Sequence, residues 1–219
     1  MQSNTLYVLI YAIPALVLAI SLHEMMHSVA GYWLGDDTAQ QHGRLSLNPL
    51  RHIDPLTTIG LPLMLVLLGL PPFAAAKPVP INMYRLKFQE FGVALVGLAG
   101  PLTNLLLAIL FIFVLKLVSP VAAGILSGGQ IVVGDSYLVG FLSYSILLNI
   151  GLFVFNMIPF PPLDGSRVLY ALAPEFLQEI MMRIERLGFT AILLFMFVGF
   201  PFISPFVSSA QKMIISFLV

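Results

Sequence analysis

The chain has 219 residues, of which 59% are apolar and 9% charged, against roughly 45 to 50% and about 25% in a soluble globular domain. An ordinary cytosolic domain is excluded; at about 20 apolar residues per crossing, the length holds about four to six membrane helices and no sizeable soluble domain beside them. Lys plus Arg and Asp plus Glu both number 10, without a basic block, which removes nucleic acid as a partner. Cysteine is absent, so a metal would have to be held by imidazole and carboxylate.

The expected fold is therefore an all-α polytopic membrane protein, a single domain over residues 1–219. A first helix is predicted from about Thr5 to Trp33, ended by the turn chemistry of Gly35, Asp36 and Asp37. Its apolar run from Leu6 to Leu22 exceeds the 7 to 15 residues of a signal-peptide core, so it is read as retained. Residues 36–55, with His42, Arg44, Arg51, His52 and Asp54, read as a loop at the membrane surface.

Residues 56–71 are apolar but short for a crossing, and Pro71 and Pro72 stop them. A re-entrant dip fits better, followed by an extended return through KPVPIN, Lys77 to Asn82. Irregular backbone at such depth is tolerated only where protein or water surrounds it, which points to a site. A span over about 88–118 follows, with Gly92, Gly97 and Gly100 allowing close helix approach. Residues 119–134 read as a connection and 135–158 as the next span, broken by Pro159, Pro161 and Pro162. From Pro174 to Arg186 charged and apolar residues interleave as in an amphipathic interfacial helix. The last stretch, 188–219, holds Pro201 and Pro205 and reads as one kinked span or a span plus a dip.

His23-Glu24-Met25-Met26-His27 is an HExxH sequence on a helix, where residues four apart share a face and both imidazoles reach one ion. Ionisable groups inside a membrane span are costly and by default functional. A hydrolytic zinc site takes three protein ligands; the candidates for the third are Asp164, Asp54, His52 and His42. Asp164 is favoured, because the prolines before it unwind the chain, a new helix starts beside it, and Gly165 permits close approach. A divalent ion, two neutral imidazoles, Asp164 and Glu24 also sum to zero charge. The Gly100 to Asn104 run is expected to pack helices, with Asn104 bonding a neighbouring backbone, and Asn149 to be structural. Arg51, His52 and Asp54 are expected to tie the surface loop together.

HEMMHSVAGYWLGD from His23, AGPLTN from Ala99, KPVPIN, and NMIPFPPLDG from Asn156 to Gly165 resemble the site-2 proteases, a family of intramembrane zinc metalloproteases. The likeness covers residues 20 to about 170, in a short form without PDZ or CBS domains. It implies that His23, His27 and Asp164 hold one zinc ion per chain and that Glu24 is the catalytic base. Asn156 matches the motif asparagine that holds substrate or stabilises the oxyanion.

The expected activity is hydrolysis of a peptide bond in or near a transmembrane segment of a membrane-protein substrate, within the lipid bilayer. A catalytic core of about 5–170 is followed by the amphipathic helix and last span of about 174–219. A membrane ion or solute transporter, or a non-protease metalloenzyme, is the alternative reading. For His23, His27 and Asp164 to meet at one level, the first span and the 135–158 span must run parallel. The Lys and Arg residues then gather on the side of the site, and the positive-inside bias puts the N-terminus and the 119–134 connection outside and the site nearer the cytoplasmic face.

Overall fold

The computed structural model describes residues 2–60, 77–127 and 136–219. In chain order its helices are α1 (Gln2–Trp33), α2 (Thr38–Gln41), α3 (Glu90–Val118), α4 (Pro120–Ser127) and α5 (Tyr137–Asn156). They are followed by α6 (Gly165–Leu172), α7 (Glu175–Arg186), α8 (Phe189–Leu194) and α9 (Phe200–Leu218), the last two joined by a π-helical turn, Phe195–Gly199. There is no strand among the described residues. Four helical stretches are long and apolar enough to cross a membrane: Ile10–Trp33, Glu90–Val118, Tyr137–Asn156 and Thr190–Leu218. The chain is an all-α polytopic membrane protein.

α3 is the central helix and packs on α1, α5 and α6. Near its start α1 meets the start of α5: the Tyr11 and Tyr137 rings lie 5.4 Å apart. Near its end, His23 lies 3.0 Å from Asp164, just beyond the end of α5. The two spans are therefore parallel, as the depth argument requires, and α3 runs antiparallel between them, with Val96 beside His27 and Asn104 beside His23. The apolar core fills the half of the bundle away from the site, where Ala108, Ile112 and Leu115 of α3 meet Leu142, Ile146 and Ile150 of α5. Ala122, Ala123 and Leu126 of α4 belong to the same core. Residues 120–127 are thus a helix folded back on the bundle where a plain connection was expected; 128–134 lie outside the described residues. Apolar side chains left outward, such as Leu106, Phe113, Phe202 and Phe206, are exposed because lipid is their solvent.

At its site end α1 closes in a Schellman turn: Gly35 takes φ 102°, Asp36 N–H donates to the Gly31 carbonyl at 2.9 Å and Gly35 N–H to Tyr32 at 3.0 Å. Buried Asp36 then accepts from the N–H and hydroxyl of Thr38 and, at 2.6 Å, from the N–H of Asn82. Exposed Asp37 is held below the ordinary carboxylate range by the Gln41 amide and the Arg85 guanidinium. The buried Arg44 guanidinium donates to the carbonyls of Arg51 at 2.6 Å and Pro78 at 3.2 Å, and Lys77 N–H donates to the His52 carbonyl at 3.0 Å. Non-helical 77–82 is thereby fastened to the end of α1 and the 44–52 loop. The dip expected over 56–71 falls, from residue 61 on, outside the described residues; Pro55–Gly60 is a π-helical turn. What the described flanks fix is that the chain leaves and returns at the same end of the bundle.

The amphipathic helix expected over 174–186 is α7, which sets Leu177, Met181 and Ile184 inward and leaves Phe176, Ile180 and its charged residues exposed. Residues 188–219 form one crossing. Pro201 follows directly on the π-helical turn and Pro205 lies inside α9, and Lys116 Nζ donates to the Leu218 carbonyl at 3.1 Å, at the end of the bundle opposite the site.

Candidate metal centre

His23 and His27, one turn apart on α1, point their Nε2 atoms at one spot, 3.1 Å from each other. Asp164 brings its Oδ2 to 3.0 Å from His23 Nε2 and 3.3 Å from His27 Nε2. Both imidazoles are buried and the carboxylate nearly so. Donors bound tetrahedrally at about 2.0 to 2.1 Å from zinc stand about 3.3 Å apart, so three imidazole and carboxylate atoms at these separations fit that ion's donor type and size. Three protein donors would leave a tetrahedral ion a fourth position for water or substrate. At about 1.5 Å per residue, His27 and His23 lie roughly 9 and 15 Å along α1 from Trp33, within the membrane.

Asp164 owes its place to the proline run. α5 stops at Asn156, the 157–164 turn contains a cis Pro161–Pro162 bond, and α6 starts at Gly165 with Asp164 as the residue before it. The carboxylate does not cap α6; it turns to the imidazoles instead. Glycine lets α6 dock: a Cβ on Gly165 would stand 2.8 Å from the Ile158 carbonyl oxygen, and one on Gly97 of α3 would stand 2.9 Å from Arg167 Cβ.

α3 supplies the other wall through residues four apart. The His27 Nδ1–H donates to the Val96 carbonyl at 2.7 Å, and the His23 Nδ1–H donates to Asn104 Oδ1 at 2.6 Å. With the ring proton on Nδ1, each Nε2 keeps its lone pair for a metal. Between Val96 and Asn104 lies Gly100, where a Cβ would overlap His27 Nε2 and stand 2.6 Å from His23 Nε2. Only a residue without a side chain leaves the two donor atoms in place.

Asn104 thus meets the donor cluster through the His23 imidazole, where bonding to a neighbouring backbone was expected. Its spacing of four from Gly100 was the available signal. Asn149, completely buried, holds Asn104 in turn, accepting from its Nδ2 at 2.9 Å. Val96 acts through its carbonyl and carries no side-chain signal at all.

Glu24, half-buried beside His23, is not one of the three clustered donors. It lies within electrostatic reach of His52 and of Arg44, whose guanidinium burial presses below its ordinary range while the Glu24 carboxylate pulls it back. The other third-ligand candidates are engaged elsewhere. His42 is exposed and bonds the Thr38 carbonyl, buried His52 donates to the Ser46 carbonyl at 2.7 Å, and Asp54 accepts from Thr57 N–H. Asn156 ends α5 with its amide donating to the Leu152 carbonyl at 3.0 Å.

A family model described as Peptidase family M50 matches residues 116–199. The Bacillus subtilis protein named "Putative zinc metalloprotease YwhC" is 36% identical over 183 residues, covering 84% of this chain and 78% of its own length. The chain belongs to peptidase family M50. Two Rip2 proteins, named as zinc metalloproteases in the same form, match more distantly. That of Mycolicibacterium smegmatis is 28% identical and that of Mycobacterium tuberculosis 29%, each covering 74% of this chain. The chain spans 57% of the length of each. No solved structure matches. In this M50 peptidase the matched residues 116–199 include Asp164, while His23 and His27 lie before them. α3, packed on both α1 and α6, brings the two parts of the site together.

Proposed function

We propose that this peptidase is an intramembrane zinc endopeptidase that cuts within or near a transmembrane segment of a membrane-protein substrate, as in regulated intramembrane proteolysis. The observation that carries this reading is the convergence of buried His23 and His27 with nearly buried Asp164 at membrane depth. One zinc ion held by these residues supplies a Lewis acid able to polarise a carbonyl and acidify water. Glu24, outside the donor cluster, takes the proton from the attacking water and delivers it to the leaving amine. Asn156 releases the Leu152 carbonyl and donates its amide hydrogen to the developing oxyanion.

The substrate must unwind locally to expose a peptide bond, and residues 77–82, held by Arg44 and Asp36, offer backbone for it to pair with as an added strand. The catalytic domain takes in the whole chain, 1–219. Arg44, Arg51, Lys77, Arg85, Lys87, Arg167, Arg183 and Arg186 gather at the site end, against Lys116 and Lys212 in the other half. The positive-inside bias makes the site end cytoplasmic and puts both chain ends outside, in the cell membrane.

The test is Glu24→Gln. It is expected to keep one zinc per chain, to abolish cleavage of a model transmembrane substrate, and to trap that substrate on crosslinking in the membrane. Loss of metal together with activity would make Glu24 a ligand and overturn its role as base.

A further inference from the structure

Two zinc ligands on one helix need the same tautomer, and the fold imposes it by different means. For His27 the Nδ1–H faces a backbone carbonyl, Val96, which accepts and cannot invert. For His23 it faces Asn104, a side-chain amide whose oxygen and nitrogen are nearly the same size. Turned by 180°, that amide would offer N–H to Nδ1, move the ring proton to Nε2, and aim a hydrogen where a lone pair is needed. Something must hold the amide one way round.

We infer that Asn149 does so, as a positioning residue that sets the tautomer of His23 through Asn104. The chain of bonds has a direction. Asn149 Nδ2 donates at 2.8 Å to the carbonyl of Ser145, a pure acceptor on its own helix. That leaves Asn149 Oδ1 turned to α3, where it accepts from Asn104 Nδ2 at 2.9 Å. Inverting Asn104 would set two carbonyl oxygens against each other, and both asparagines are fully buried, where no water compensates.

The Ser145 carbonyl therefore governs His23 through two neutral amides as the Val96 carbonyl governs His27 directly. A carboxylate in place of either amide would do the same job for the imidazole but would add a charge to a site whose charges already balance. Amides supply direction without charge. Asn149 touches neither ion nor substrate, so its effect is on ligand geometry alone.

This inference rests on the reading of the site as a zinc centre, and its test separates the two. Imidazole nitrogen NMR on metal-free, isotope-labelled protein in micelles reports the His23 tautomer without zinc or activity; zinc affinity is measured in parallel by chelator competition. Wild type is expected to keep His23 Nδ1 protonated, whether or not Nε2 also carries a proton toward Asp164 while the ion is absent. Asn149→Leu is expected to populate a form in which Nδ1 is unprotonated and to weaken zinc about 10- to 100-fold, the range for outer-sphere partners. The double variant Asn104→Asp with Asn149→Leu is expected to restore both, since a carboxylate facing Nδ1 only accepts. Asn149→Ala replaces the leucine variant if that one does not fold.

An unchanged His23 pattern in the Asn149 variants, or no rescue by Asn104→Asp, would overturn the relay. A shifted tautomer in a protein whose wild type binds no zinc would instead keep the relay and sink the zinc centre.

Discussion

Gly100→Ala puts one methyl group at the point where the two imidazole donors converge. Its carbon would overlap His27 Nε2 and stand 2.6 Å from both His23 Nε2 and His27 Cε1, where ordinary contact lies at 3.4 to 4 Å. Both rings must move by roughly half an ångström or more, while a metal site tolerates about 0.2 Å in its bond lengths. Swinging aside also breaks the bonds from Nδ1 to Val96 and Asn104. Zinc affinity should fall by about 100-fold or more, which is about 2.8 kcal/mol at 1.4 kcal/mol per tenfold.

In the metal-free fold the buried bonds so broken should cost about 1 to 3 kcal/mol each, in part offset. The displaced atoms are ring tips rather than backbone, and alanine gains about 0.8 to 1.0 kcal/mol over glycine in a helix interior. The assay pairs chelator competition on the purified protein with thermal unfolding after metal removal. Gly124→Ala is the control, since a Cβ there meets nothing within 4 Å. Zinc affinity within threefold of wild type in Gly100→Ala would mean that the imidazoles do not meet against this helix face.

Asp164→Ala should strip zinc from the purified protein, whereas Asp54→Ala and His52→Ala should leave it near wild type; metal analysis showing the reverse would move the third ligand into the surface loop. Asp36→Ala removes the acceptor for three part-buried donors, the N–H and hydroxyl of Thr38 and the N–H of Asn82, so at about 0.5 to 1.5 kcal/mol per bond it should lower stability by about 2 to 4 kcal/mol. Asp37→Asn should change thermal unfolding little, because the Asp37–Arg85 pair is exposed. In the otherwise cysteine-free chain, Gly124→Cys should react with an impermeant maleimide on intact cells and Lys77→Cys only after permeabilisation; labelling of Lys77→Cys alone would invert the orientation.

The membrane class, a range of about four to six crossings that holds the four found among the described residues, and the identity of the clustered donors were legible in the residues. Apolar runs of about 20 residues are read directly by lipid, and HExxH is local, its two imidazoles set by a single helical turn. The proline run before Asp164 was equally local, since proline breaks a helix wherever it falls inside one. Even the parallel course of the two outer spans followed from requiring three donors to meet at one depth.

Other features depended on packing between distant segments. Asn104 read as a packing residue because nothing near it in the chain names its partner; α3 must lie antiparallel on α1 before it reaches His23. The Val96 carbonyl has no signature in the side chains, and every helix residue owns one. Residues 120–127 read as a connection because their return to the core is a contact with α3 and α5, not a local preference. Local periodicity and turn chemistry determine which residues form helices and where they break. Only the register of one helix on another decides which lone pairs face the centre, because hydrogen-bond direction is set by the partner across the interface.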